Sequence, residues 1–191
     1  MSKFADDFRF AEITHEQILG PLYAALSSPY TTIERLDYDH RFPYRGDVII
    51  RRRGLHDLYL EEKASRPLPD GAHHAHFLLE MSAPGEPSLC SLRHNDVIVF
   101  ALFGSVYVDV YFFCARSLSE WIFMNRRRCQ VKRLFFSGGK DVIVLKIPIN
   151  FVVQELRPSS RLYRVNLGCR TAGLFGGAGL GEGCCGVCLG L

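Results

Sequence analysis

The sequence predicts an α/β protein, in the narrower sense an α+β one. A mixed sheet of four or five strands is flanked by helices and followed by a C-terminal hairpin. Three observations carry that expectation. Short apolar or alternating runs recur from Asp47 onward, separated by turn-forming residues. One of them, residues 97–102, is apolar without a break, as in a strand covered on both faces. Helical spacing is confined to an N-terminal stretch and a central one.

In chain order, residues 4–26 read as helical. Phe8, Ala11, His15, Ile18, Leu22 and Ala25 recur three or four apart and so share a face. Gly20-Pro21 interrupts the run, which predicts a kink or two short helices. Residues 31–38 suit a short strand or a helix end, and 39–46 a loop. Residues 47–53 and 58–64 read as strands joined by a turn over 54–57, hence an antiparallel hairpin. A polar loop over 66–75, a strand over 77–81 and a second loop over 82–88 follow. The apolar strand comes next, then another strand over 106–113. Residues 117–128 carry the clearest helix signal, because Ser117 and Glu120 have capping-box spacing. Leu118, Trp121, Ile122 and Cys129 are its expected core contacts. Arg126, Arg127 and Arg128 suit the negative end of its dipole. Residues 131–136 and 142–149 flank Ser137-Gly138-Gly139-Lys140, a hairpin signature.

The chain has 191 residues, 48% hydrophobic and 23% charged, which excludes a disordered protein and suits one domain over 1–165. Residues 166–191 are rich in Gly and Cys, and Glu182 is the one charge in 171–191, so a disordered tail is expected. A net charge of +3 permits nucleic-acid binding without requiring it. The N-terminus is charged and lacks the apolar run of a signal peptide. The apolar run at 97–103 is too short to span a bilayer, so a cytoplasmic protein with no membrane contact is expected. Seven cysteines, an odd number at irregular spacing, read as free thiols.

The residues that point to chemistry are Asp47 and Glu61-Glu62-Lys63. Side chains alternate along a strand, so Glu61 and Lys63 share a face that Asp47 can reach from the neighbouring strand. Carboxylate oxygens suit Mg²⁺, which takes one or two of them and keeps several waters. Such an ion polarises a phosphoryl oxygen and acidifies a bound water, and a nearby lysine stabilises the charge that develops. The plain alternative is an exposed strand face with paired charges.

The stretch from Arg45 to Trp121 resembles the PD-(D/E)XK endonuclease-like family of phage and mobile-element proteins, a restriction-endonuclease-like group. The residues that carry the resemblance are Gly46-Asp47-Val48, Glu61-Glu62-Lys63 and Glu80-Met81-Ser82. Asn95-Asp96-Val97, Val108-Asp109-Val110 and Leu118-Ser119-Glu120-Trp121 continue it. The chain departs from the pattern at Ser88-Leu89, where Gly-Trp is usual, and at Ala75-His76, where an Asn follows a Gly. The resemblance implies a DNA endonuclease dependent on Mg²⁺ or Mn²⁺. In it Asp47 and Glu61 are metal ligands, Lys63 is the catalytic lysine, and Glu80 is a further acid at the same site. It also implies a helix-borne acid, for which Glu12 and Glu16 are both open. The alternative is a catalytically silent protein of that fold that binds nucleic acid or a protein partner.

Rival signals have plain readings. His73, His74 and His76 are crowded together for a metal site and read as a polar loop. The pair Cys185 and Cys188 lacks a second pair at zinc-site spacing. Arg51-Arg52-Arg53 reads equally as phosphate contact or as a solvated strand end, and Arg126 to Arg133 as helix capping. Lys140 lacks the spacing of a phosphate loop.

Overall fold

The computed structural model describes residues 3–36, 46–69, 71–81, 92, 94–135 and 141–167. The expected loops at 39–45 and 82–88, the hairpin turn at 137–140 and the Gly/Cys-rich tail beyond Leu167 lie outside them.

The N-terminal segment comprises helix α1 (Lys3–Thr14), a wide π-helical turn (His15–Leu19) and helix α2 (Gly20–Leu26). The irregularity falls just before Gly20-Pro21. Pro21 has no N–H for the preceding turn, and the Gly20 N–H bonds back to the His15 carbonyl instead. This turn holds one extra residue, so the buried face of α1 lies one position earlier than an unbroken helix predicts. Phe10 and Thr14 are buried, whereas Phe8 is 55% exposed. The buried Thr14 hydroxyl donates to the Phe10 carbonyl at 2.8 Å.

Six strands build the main sheet: β1 (Thr31–Arg35), β2 (Val48–Arg52), β3 (Leu58–Ser65), β5 (Val97–Phe103), β6 (Tyr107–Cys114) and β9 (Ser160–Asn166). Their spatial order is β1-β2-β3-β5-β6-β9. β1, β2 and β3 form an antiparallel meander, with Val48 opposite Leu60. β3 and β5 are parallel, with Glu61 opposite Ile98 and Lys63 opposite Phe100. β6 and β9 continue antiparallel. The turn before β3 uses Gly54 at φ 75°, a conformation glycine adopts without steric cost.

Two features depart from the expected four or five strands. β4 (His76–Met81) leaves the main sheet and pairs with β8 (Asp141–Pro148), which pairs with β7 (Gln130–Phe135) in a second, three-stranded sheet. Helix α4 (Ile149–Glu155) and β9 then occupy a region without a sequence signal, so the β7–β8 hairpin does not close the fold.

The best-signalled helix also starts earlier than expected. Helix α3 runs Ala115–Met124, with Cys114 as N-cap and no side-chain cap bond. Ser117 is thus already inside the helix, and Glu120 pairs with Arg116 at 3.0 Å rather than reaching back to a cap. Arg126–Arg128 form a separate 3₁₀ turn beyond its end. Leu118, Trp121 and Ile122 are buried as expected.

The main sheet divides two cores. Val48, Leu60, Val99 and Val110 pack under α1 and α2 with Phe10, Leu19 and Leu22. On the other face Ile98, Phe100 and Phe113 pack with Phe77 and Leu79 of β4, Leu118 of α3 and Val152 of α4. Phe77 anchors this face, its ring 4.4 Å from Phe100 and edge-on to Tyr111 and Phe113. β5 lies between both cores, which explains its unbroken apolar run. No helix among the described residues is long and apolar enough to cross a membrane.

Candidate functional site

The site is built on the entry to β2. Gly46 passes so close to β3 that a Cβ would collide with the Leu60 carbonyl and the Asn95 amide oxygen. Its N–H donates to Asn95 Oδ1 at 2.7 Å, and Asn95 is buried at 7% exposure. The next residue, Asp47, donates its N–H to the Leu60 carbonyl at 2.7 Å. Val48 faces the helical core, so Asp47 faces the opposite side of the sheet. Its Oδ2 accepts the Glu62 N–H at 2.7 Å. That bond extends the β2–β3 ladder with a side chain.

Glu61 and Lys63 share this face, since Glu61 is level with Ile98 and Lys63 with Phe100 of the second core. Lys63 Nζ lies 2.6 Å from Glu61 Oε1. Asn95 Nδ2 lies 3.5 Å from Glu61 Oε2, at the outer limit of a hydrogen bond. Glu80 arrives from the other sheet, on β4, and its charge acts on Lys63. Asp47, Glu61 and Lys63 therefore share one face of the hairpin, and Glu80 adds its charge from the second sheet.

The cluster holds more negative than positive charge. Burial pushes the Asp47 carboxyl up from 3.8 to about 6, and Glu61 adds to the rise. Lys63 and the Glu62 N–H pull it back only in part. For Lys63, burial favours the neutral amine, but Glu61, Glu80 and Asp47 outweigh it and hold its pKa above the ordinary value. Lys63 is thus a firm ammonium at neutral pH, and Asp47 a carboxylate held against its environment.

Glu62 points the other way, into the helical side. Its carboxylate meets His15 Nδ1 at 2.9 and 3.1 Å and accepts the Tyr23 hydroxyl at 2.8 Å. Burial and then Glu62 push the Tyr23 phenol well above its usual range. The wide turn presents His15, and α2 presents Tyr23. Consecutive residues of β3 therefore serve two clusters, one on each face.

Glu12 and Glu16, the candidate helix-borne acids, lie on α1 and in the wide turn. Those elements cover the face away from Glu61 and Lys63, so neither acid joins the cluster. Arg51 pairs with Glu34 and with Asp57, and Arg52 donates to the His56 carbonyl, so both serve the strand face. His73 Nδ1 instead meets the Tyr107 hydroxyl at 2.9 Å, its ring stacked on that of Tyr107. Among the described residues no three His, Cys, Asp or Glu side chains converge as a ready metal cage.

Asp47 and Glu61 still suit a hard divalent cation. Their oxygens are the right donors, two carboxylates are what Mg²⁺ takes, and added positive charge would relieve the repulsion on Asp47. Sequence reasoning gave no site role to Asn95, Gly46, His15 or Tyr23, although Gly46 and Asn95 stand in the segments that carry the resemblance. Compared with family models, curated proteins and solved structures, the chain matches none of them.

Proposed function

We propose that this chain is a metal-dependent, restriction-endonuclease-like domain that hydrolyses phosphodiester bonds in DNA, using Mg²⁺ or Mn²⁺. The observation that carries the reading is the Lys63 ammonium 2.6 Å from Glu61, on the face of the β2–β3 hairpin that Asp47 shares. Asp47 and Glu61 would hold the ion, which would polarise a phosphoryl oxygen and acidify a bound water. Lys63 keeps its proton at neutral pH and stabilises charge that builds on the phosphoryl oxygens. Glu80 helps keep Lys63 charged. The Glu62 N–H fixes the orientation of Asp47, and the Asn95 amide lies beside Glu61. The domain would work in a reducing compartment such as the cytoplasm, where Cys114 and Cys129 remain thiols.

The test is incubation of purified protein with DNA and Mg²⁺ or Mn²⁺ beside a Lys63→Ala control. Cleavage by the wild type alone supports the reading, and equal cleavage by both proteins overturns it. A second reading is a catalytically silent domain that binds nucleic acid or a protein partner. The close Lys63–Glu61 pair favours it, because the ammonium engages an oxygen that a metal would use. A gel shift in EDTA that survives Lys63→Ala, with no cleavage in metal, selects this second reading.

A further inference from the structure

We propose that residues 123–133 form a docking surface for single-stranded DNA. This stretch runs from the end of α3 through the 3₁₀ turn into β7. It carries Arg126, Arg127, Arg128, Lys132 and Arg133 and no acidic residue. All five cations are exposed. The same stretch carries large apolar side chains with almost no cover: Phe123 is 80% exposed, Met124 79% and Val131 64%. Arg128 reaches α4, where it pairs with Glu155 at 2.6 Å and lies 5.1 Å from the centre of the half-exposed Phe151 ring.

Helix capping explains none of this exposure. The arginines lie beyond α3, and the dipole effect fades within the last turn. Lys132 and Arg133 on an edge strand discourage strand-to-strand aggregation, but Phe123 and Met124 do the opposite. Uncovered aromatic area bordered by cations of one sign is the composition of an interaction site. Its complement is a polyanion with free apolar faces. A single strand supplies both, since phosphates meet the arginines and an unpaired base stacks on a ring such as Phe123. A duplex keeps its base faces hidden.

The choice of DNA rests on the function proposed above, but the test does not depend on cleavage. Labelled oligo(dT) is titrated by fluorescence anisotropy in EDTA across a range of NaCl concentrations. The triple variant Arg126→Gln, Arg127→Gln, Lys132→Gln is expected to flatten the log–log salt slope by about 2, at roughly 0.7 per lost phosphate contact. Phe123→Ser is expected to weaken binding about 5- to 150-fold, the worth of one stacked base, while Phe123→Tyr retains it. A duplex of equal length should bind less tightly. Binding is read in EDTA, where no metal-dependent cleavage occurs, so an inactive protein leaves this proposal standing. The proposal is overturned by an unchanged slope in the triple variant or by no effect of Phe123→Ser. It is equally overturned if phosphatidylserine vesicles bind and oligo(dT) does not.

Discussion

Replacing Asp47 with asparagine should make the metal-free protein more stable at neutral pH, although it removes a residue of the candidate site. The reason lies in the sign of the Asp47 shift. Its carboxyl titrates at about 6 in the folded chain against 3.8 ordinarily, with burial the main cause and Glu61 the next. The folded state thus holds the proton more tightly than the unfolded state. Stability is complete below the unfolded pKa and is lost as pH rises through the folded one. Two pH units at about 1.36 kcal/mol each give roughly 3 kcal/mol lost between about pH 4 and pH 7. The amide of Asp47→Asn has nothing to ionise, keeps the shape, and keeps an oxygen for the Glu62 N–H. Urea denaturation in EDTA should therefore show near-equal stability at pH 4. At pH 7.5 the variant should hold an advantage approaching 3 kcal/mol, allowing about 1 kcal/mol either way. Adding Mg²⁺ should stabilise the wild type and leave the variant unchanged. A variant that is less stable at pH 7.5, or a difference that does not vary with pH, would refute the reasoning.

Other perturbations probe the supports of the site. Gly46→Ala forces a methyl against the Leu60 carbonyl and Asn95, and should cost about 1–3 kcal/mol or more in chemical denaturation. Asn95→Leu removes the acceptor of the Gly46 N–H and should cost about 1–3 kcal/mol for that buried donor, by the same measurement. Glu62→Ala strips His15 and Tyr23 of their shared partner and should destabilise by about 1–3 kcal/mol for each donor left unsatisfied. It should also lower the Tyr23 pKa, which ultraviolet titration reads directly. Phe77→Ala opens the packing between the sheets and should cost about 3–5 kcal/mol, measured by thermal or urea unfolding.

The sequence disclosed what depends on alternation and continuous burial. The β2–β3 hairpin, the covered strand β5 and the shared face of Glu61 and Lys63 follow from side-chain period alone. It did not disclose β4 switching sheets, because residues 76–81 alternate in the same way whichever strand they pair with. The Ser117 signal misled for a related reason. Its spacing to Glu120 fits a cap, but the chain turns helical at Ala115, where the Asp96 carbonyl accepts the Ala115 N–H at 2.9 Å. The phase of α1 was hidden because one extra residue in the wide turn moves the buried face without altering composition. His15 and Tyr23 gave no sign of their role, since their partner Glu62 is 47 and 39 residues away in the chain.

The cluster around Lys63 has two origins in the chain's architecture. Asp47, Glu61 and Lys63 belong to one hairpin, so any state that retains that hairpin retains their spacing. Glu80 comes from the other sheet and is held there by β8. Its charge therefore reaches Lys63 only where the two sheets meet. A partly opened molecule, with the hairpin intact and the second sheet detached, would keep the Lys63–Glu61 pair but lose one of the charges that sustain the ammonium. Glu80 thus adds to the charge around Lys63 from a strand that never pairs with the hairpin.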